Sequence, residues 1–523
     1  MRPTLVRVLV VAALASLSAC ARDFEQAQRL NLDLAACAPM CAREAVPGEQ
    51  PNTDSFAAIE ESGFRRVADE PLSTFSSDVD TASYSIVRRM ITEGSRPPVG
   101  AVRIEEMLNY FTYAYEPPTG DEPFAVHAET AACPWALDHR LLRIGVKARE
   151  VRFLAKQPVN LVFLLDVSGS MEPADRLPLV LQSMKLLVDS LDGGDRVAIV
   201  VYAGAAGTVL PPTPCDRKSE ILEALSRLHA GGSTNGGAGI DLAYRTAKES
   251  FVEHGVNRVI LATDGDFNVG VSSRSELVRM VEERAKEGIW LSVLGVGRGN
   301  LKDDTMEQLA DRGNGNYAYL DSVAEGRRVL VDQAGGTLVT VAKDVKFQVE
   351  FNPAQVEAYR LIGYENRVLA AQDFNDDKKD AGDVGAGHCV TALYEVVPAG
   401  GKADVPTVDP LKYQKRGDVA PAASSGEMCT VKVRWKAPEG AESRLFETAV
   451  LDSHAAYSQA SPDFKFASAV ASFGMLLRGS KFAGNASLDA VLELAQEGVG
   501  TDPGGYRHEF VGLVRQAKSL PPN

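Results

Sequence analysis

The sequence predicts an α/β protein: a doubly wound, mostly parallel sheet flanked by a β-sandwich, with helical N- and C-terminal regions. Three observations lead there. Between residues 159 and 336, near-continuous apolar runs alternate with helix-length amphipathic segments, the order of a parallel sheet covered on both faces. On either side the period falls to two, as in Phe124-Ala125-Val126-His127-Ala128-Glu129 and Val345-Lys346-Phe347-Gln348-Val349-Glu350-Phe351, the alternation of half-buried strands. Towards both ends apolar residues recur at helical spacing, as at Ile104, Met107, Leu108 and Phe111. With 523 residues, 45% of them hydrophobic, the chain supports two to four folded units with their own cores.

The elements follow in chain order. Arg2 and Arg7 lead into an apolar run at 8–15, shorter than the roughly 20 residues a bilayer span needs. It reads as the core of an export signal over residues 1–19. Leu17-Ser18-Ala19-Cys20 resembles the lipobox of bacterial lipoproteins. That resemblance implies cleavage before Cys20, acylation of its thiol and amine, and an anchor in place of a span. Ala21, where an Asp would favour the inner membrane, points on the same resemblance to the outer membrane. Residues 20–72 have little periodicity and read as a partly disordered tether. A helical region at 73–122 carries helices at 84–91 and 103–111, broken by Pro97-Pro98. Asp78 and Asp80 read as helix-capping residues with Thr81, in preference to a second metal site.

Strands at 124–129 and 141–146, within 123–158, belong to a β unit that resumes after 337. The α/β stretch, 159–336, carries strands at 161–166, 196–202, 259–264 and 289–296. Its helices are expected at 177–191, 218–228, 240–254 and 275–286. Gly295-Val296-Gly297-Arg298-Gly299 departs from a dinucleotide loop, because Asn300 stands where the third glycine should be. The sandwich, 337–455, carries strands at 345–351, 390–396 and 429–435. Asp373-Phe374-Asn375-Asp376-Asp377 opens like an EF-hand, but Lys378 takes the glycine position and Val384 the closing glutamate. A solvated hairpin loop is expected there. Residues 406–426 read as a mobile insertion. The C-terminal region, 456–523, is helical at 463–477, 488–496 and 506–518. No segment after Cys20 has the length and apolarity of a transmembrane helix.

Charge and cysteines narrow the function. The formal charge of −15 becomes −17 without Arg2 and Arg7, and no basic cluster with interleaved aromatics offsets it. Nucleic acid is a poor partner for such a chain. Beyond Cys20, six cysteines remain, an even number that permits disulfides in an oxidising compartment. Cys37 and Cys41 are the easiest pair, Cys389 and Cys429 a second, while Cys133 and Cys215 read equally well as free buried thiols. None has the spacing of a zinc site. No GxSxG elbow surrounds Ser168 or Ser170 and no HExxH is present, so no enzymatic activity is expected.

The chemistry concentrates in one place. Asp166-Val167-Ser168-Gly169-Ser170 follows the apolar strand Val162-Phe163-Leu164-Leu165, setting a carboxylate and two hydroxyls at a strand's carboxyl end. Ligand sites of open α/β sheets gather there. Gly232-Ser233-Thr234-Asn235-Gly236 adds a hydroxyl, and the strand at 259–263 ends in Asp264. Such hard oxygens suit Mg²⁺, Ca²⁺ or Mn²⁺ better than zinc or copper. This order of residues resembles the metal-ion-dependent adhesion site of von Willebrand factor type A domains. The resemblance implies a Rossmann-like A domain with Asp166, Ser168, Ser170, Thr234 and Asp264 holding a divalent cation, Mg²⁺ foremost. It also implies a protein partner whose acidic residue completes the coordination. Asn235 and Asp266 border the pocket and read as turn formers. The words SSDVDTASY (76–84), RIEEMLNYF (103–111), FGMLLRGS (473–480) and GYRHEFVGLV (505–514) resemble regions flanking the A domain in bacterial lipoproteins. The expectation is a lipid-anchored envelope protein that binds a partner through the cation. The alternative is an assembly factor in which the ion only stabilises the domain.

Overall fold

The computed structural model describes residues 52–521, apart from 79, 151–156, 233–235, 266–273, 334–335, 337–339, 378, 380, 403–404, 406–419, 439 and 441. The signal, Cys20, Cys37 and Cys41 lie outside the described residues, as does most of the 406–426 insertion. Asn52–Asn523 clusters as one unit.

Among the described residues, the first elements are β1 (Arg65–Arg66) and β2 (Leu72–Ser76), helices α1 (Ala82–Thr92) and α2 (Ile104–Tyr110), and strands β3 (Phe124–Ala132) and β4 (Arg140–Ala148). The α/β domain runs β5 (Val159–Asp166), α3 (Leu177–Ser190), β6 (Arg196–Tyr202), β7 (Ala206–Pro214), α4 (Lys218–Ser226) and α5 (Gly236–Glu249). It continues through β8 (Val256–Thr263), α6 (Arg274–Lys286), β9 (Trp290–Val296), α7 (Asp303–Arg312), β10 (Tyr317–Leu320) and α8 (Val323–Arg327). Then come β11 (Thr340–Phe351), β12 (Val356–Ile362), β13 (Val368–Leu369), β14 (Val384–Gly385), β15 (Cys389–Pro398), β16 (Glu427–Lys436) and β17 (Ser443–Leu451). Helices α9 (Pro462–Arg478), α10 (Leu488–Glu497) and α11 (Tyr506–Ser519) follow.

The domain's sheet has the order β10-β9-β8-β5-β6-β7. Its strands pair in parallel except at the β6–β7 edge. Every residue of β5 and β8 is buried, because helices cover both faces, and this is why those strands read as unbroken apolar runs. The chain leaves β5 first towards β6 and returns on its other side as β8. The carboxyl ends of β5 and β8 therefore form the topological switch point, where a crevice opens between loops going opposite ways.

Two antiparallel sheets make the sandwich, β1-β12-β15-β4-β3 facing β13-β2-β11-β16-β17, with β14 also paired to β11. Their shared core holds stacked aromatics such as Phe351 on Tyr359, with centroids 4.2 Å apart. Helix α1 is buried on two sides: Ala82, Ile86 and Met90 join a core of the α/β domain. Tyr84, Val87 and Ile91 join a separate helical core with α2, α9, α10 and α11. Helix α9 starts where Ser461 accepts the Phe464 N–H at 3.1 Å with Pro462 at the first turn, and stops at left-handed Gly479. Among the described residues, no helix is long and apolar enough to cross a membrane.

Several expectations change. Residues 52–72 do not all belong to a tether: 53 and 55 bond to the loop at 299–301, β1 pairs with β12, and β2 starts at Leu72. Strand β2 belongs to the sandwich, not the helical region, since it pairs with β11. At the start of α1, Thr81 makes no side-chain capping bond, and the charges of Asp78 and Asp80 are engaged with Arg367. Asp80 also accepts the Tyr317 N–H at 2.7 Å. The EF-hand-like stretch is not a simple solvated hairpin, for it opens in a 3-10 turn, Ala371–Asn375, that buries Phe374. The described end of the insertion also forms a 3-10 turn, Pro421–Ser425. Cys389 and Cys429 are free thiols on opposite sheets, as β15 and β16 belong to different faces of the sandwich. Cys133 and Cys215 are free and buried.

Candidate metal centre

The register between β5 and β8 sets Leu165 opposite Ala262, so Asp166 meets Thr263 at the strand ends. Thr263 Oγ1 donates to Asp166 Oδ2 at 3.2 Å, and the Ser168 N–H donates to Asp166 Oδ1 at 2.9 Å. Asp166 is fully buried. Burial pushes its carboxyl up; the Ser168 hydrogen bonds pull it down, and Asp264 adds to the rise. Ser168 and Ser170 place their hydroxyls 3.0 Å apart. Their loop is tied by its backbone to the neighbouring one: Gly169 N–H bonds Gly232 O at 3.0 Å, and Gly231 N–H bonds Val167 O at 2.7 Å. Asp264 sits just past β8 and is fully buried, with Gly265 in the left-handed region at φ +94°. A Cβ at Gly265 would stand 2.6 Å from the Lys302 nitrogen, so the turn needs glycine for both reasons.

The folded chain brings Asp166, Ser168, Ser170 and Asp264 to one pair of strand ends. Thr234, with Asn235 and Asp266, lies outside the described residues. Among those described, no group of three or more His, Cys, Asp or Glu side chains could hold a metal ion. The donor set at the strand ends is therefore mixed: two carboxylates beside paired hydroxyls. That chemistry fits a hard divalent cation and not a soft one.

Two side chains at the site carried no sequence signal for this role. Arg176, just before α3, donates to Asp264 Oδ2 at 2.5 Å, to Ser170 O at 2.7 Å and to Arg298 O at 2.7 Å. Asn300 Nδ2 donates to the same Asp264 oxygen at 3.1 Å. An arginine ahead of a helix is unremarkable in sequence, and Asn300 stood out only as a departure from a dinucleotide loop. Among the described residues, Asn300 Oδ1 and Arg176 Nε are buried without a hydrogen-bond partner.

A doubly wound sheet with this loop set at its switch point defines the class, a von Willebrand factor type A domain. The family profile of that description matches residues 160–329. A profile described as von Willebrand factor matches 50–143, and one described as the C-terminal part of uncharacterised protein YfbK matches 336–520. The chain is 43% identical over 477 residues to the uncharacterised protein YfbK of Escherichia coli K12, covering 90% of this chain and 82% of that one. It belongs to the YfbK family. The uncharacterised protein sll0103 of Synechocystis is 28% identical over 186 residues, 36% of this chain and 43% of its own. Among solved structures, a von Willebrand factor type A protein from Catenulispora acidiphila overlaps 77% of this chain and 91% of its own, at 18% identity and TM-score 0.41. The conserved hypothetical protein BatB from Bacteroides thetaiotaomicron overlaps 34% and 97%, at 25% identity and TM-score 0.30.

Proposed function

We propose that the A domain binds a divalent cation, Mg²⁺ ahead of Ca²⁺ or Mn²⁺, and through it an acidic residue of a protein partner. The observation carrying this is the convergence of Asp166, Ser168, Ser170 and Asp264 at the ends of β5 and β8, with the two hydroxyls 3.0 Å apart. Ser168, Ser170 and Thr234 would hold the ion through hydroxyls, with Asp166 and Asp264 as the carboxylates. A buried carboxylate whose charge is penalised by burial gains most from a cation beside it. The ion's contribution is charge and an open coordination position; the loops contribute its placement. On this reading the protein is not an enzyme. The signal-like N-terminus and Cys20 support a lipid anchor in the cell envelope, at the outer membrane.

The test is calorimetric titration of Mg²⁺ into chelator-treated protein, wild type against Asp166→Ala, paired with capture of envelope proteins in Mg²⁺ or chelator. Expected are Mg²⁺ uptake lost in Asp166→Ala and a partner recovered only by wild type in Mg²⁺. No uptake by wild type would remove the cation from the function. Partners retained through both chelation and substitution would favour the second reading, a structural or assembly factor. That reading has one observation behind it: Arg176 and Asn300 both donate to Asp264 Oδ2, so protein groups engage this carboxylate directly.

A further inference from the structure

The loop at 297–302 faces the candidate metal centre on one edge and a strap, residues 52–55, on the other. Towards the centre, Arg298 O accepts from Arg176 and Asn300 Nδ2 donates to Asp264. Towards the strap, Gly299 O accepts from the Thr53 N–H at 2.6 Å and the Thr53 hydroxyl at 2.9 Å. Leu301 O accepts from the Ser55 N–H at 2.9 Å, and the Leu301 N–H donates to Asp54 Oδ1 at 2.8 Å. Gly297 and Gly299, at φ +73° and +92°, set directions that side-chain-bearing residues rarely adopt. At Gly297 a Cβ would also overlap the Arg176 side chain. Behind the loop, Arg89 donates to Gly297 O at 2.9 Å and pairs with Asp54 at 3.5 Å. The buried Asp54 carboxylate is thus clamped between α1 and the loop, and the loop in turn anchors Arg176.

Arg176 places a positive charge on Asp264, one of the two carboxylates assigned to the cation. A guanidinium and a divalent ion sharing one buried carboxylate repel each other, so the two compete.

We propose that the strap regulates this centre, an inference that rests on the cation reading above. Docked, the strap holds the 297–302 loop so that Arg298 O and Asp264 together latch Arg176, and cation affinity is low. Undocked, the loop relaxes, Arg176 leaves Asp264, and affinity rises. In sequence, the strap directly follows the stretch that carries Cys20. Arg176 and Asp54 are positioning residues in this scheme.

The experiment is Mg²⁺ calorimetry on the full chain for wild type, Asp54→Ala, Arg176→Gln and the double variant. Thr53→Pro removes the N–H bonded to Gly299 and repeats the undocking without exposing a buried charge. Coupling between sites in proteins is commonly about 5- to 150-fold. We expect Asp54→Ala and Thr53→Pro to bind Mg²⁺ about tenfold more tightly than wild type, within that range. Arg176→Gln should bind at least as tightly, and Asp54→Ala should add nothing in its background. By reciprocity, saturating Mg²⁺ should speed amide exchange at Thr53 and Ser55 in wild type. A wild type that binds Mg²⁺ while the strap variants bind it equally or more weakly overturns the strap's role. A wild type that binds none overturns the cation reading, and the strap's role with it.

Discussion

Glu325, in α8 at the edge of the A domain, shows how single charges hold the parts together. It pairs with Arg328 at 2.7 Å and Arg88 at 2.9 Å, and accepts from the Tyr110 hydroxyl at 2.7 Å. Burial penalises its charge, but Arg328 and Arg88 outweigh that and hold the carboxyl below its usual range. Arg328 in turn lies over the Tyr110 ring, 3.7 Å from its centroid. Glu325→Gln keeps the shape and leaves two buried guanidinium groups short of charge. We expect a loss of about 3–5 kcal/mol at neutral pH, read by chemical denaturation. A loss under about 1 kcal/mol would mean that water enters and replaces the carboxylate. At this scale, the placement of Asp166, Ser168, Ser170 and Asp264 at strand ends was legible in the sequence, because Asp166 and Asp264 each end an apolar run and the serines follow Asp166 at once. Arg176 and Asn300 were not, since their role depends on loops from distant parts of the chain meeting at Asp264.

At the scale of elements, β4 runs beneath the Tyr115 ring at Gly145, where a Cβ would overlap the ring. Tyr115 is fixed by its hydroxyl, 3.0 Å from Thr391 Oγ1, and by Arg143, 5.2 Å from the ring centroid. Glycine inside a strand usually weakens it, and here it makes room for a close approach. Gly145→Ala should cost about 1–3 kcal/mol through overpacking. Tyr115→Ala in the same chain should recover part of that, because the obstructing ring is gone. A thermal double-mutant cycle measures the coupling, and purely additive losses would show that the ring is not the obstacle. Helix α9 was legible from the Ala, Phe and Leu positions of 463–477, while its Ser461 cap and Pro462 first turn were not singled out. Strand β7 was not: Pro211, Pro212 and Pro214 argue against a strand, and the chain tolerates them because β7 is an edge. Strand β17 escaped for the opposite reason, as an edge strand whose residues are mostly exposed or half-buried and carry little alternation.

Across the whole molecule, the A domain meets its frame through buried carboxylates that share too few arginines. Asp303 and Glu307 on α7 lie with Glu106 around Arg103, while Asp78, Asp80, Glu307 and Asp311 surround Arg367. Burial raises the Asp80 and Asp303 carboxyls above their usual range and pushes Glu307 up to about 8. A carboxyl raised by folding stabilises the fold fully below its unfolded value, and that contribution is lost as pH climbs through its folded value. Glu325 and Glu395, held low, act in the opposite sense: their contribution is present above the unfolded value and is lost as pH falls through the folded one. The melting temperature should therefore fall by several degrees between about pH 5 and pH 8 and fall again under strong acid, with Glu307→Gln flattening the decline towards pH 8. A melting temperature that rises steadily through that interval in wild type would contradict this account.

The sequence by itself determined the doubly wound domain, the alternating strands on either side of it and the oxygen-rich loops at its switch point. Those features follow from local periodicity and from which residue ends each apolar run. Only the tertiary structure decided that β2, before the A domain, completes a sheet with strands after it, and that α1 serves two cores at once. It also decided that 52–55 is bonded to the 297–302 loop and that Arg176 reaches Asp264. Such pairings join residues far apart in the chain through single hydrogen bonds and shared burial, which leave no periodic trace in either partner segment.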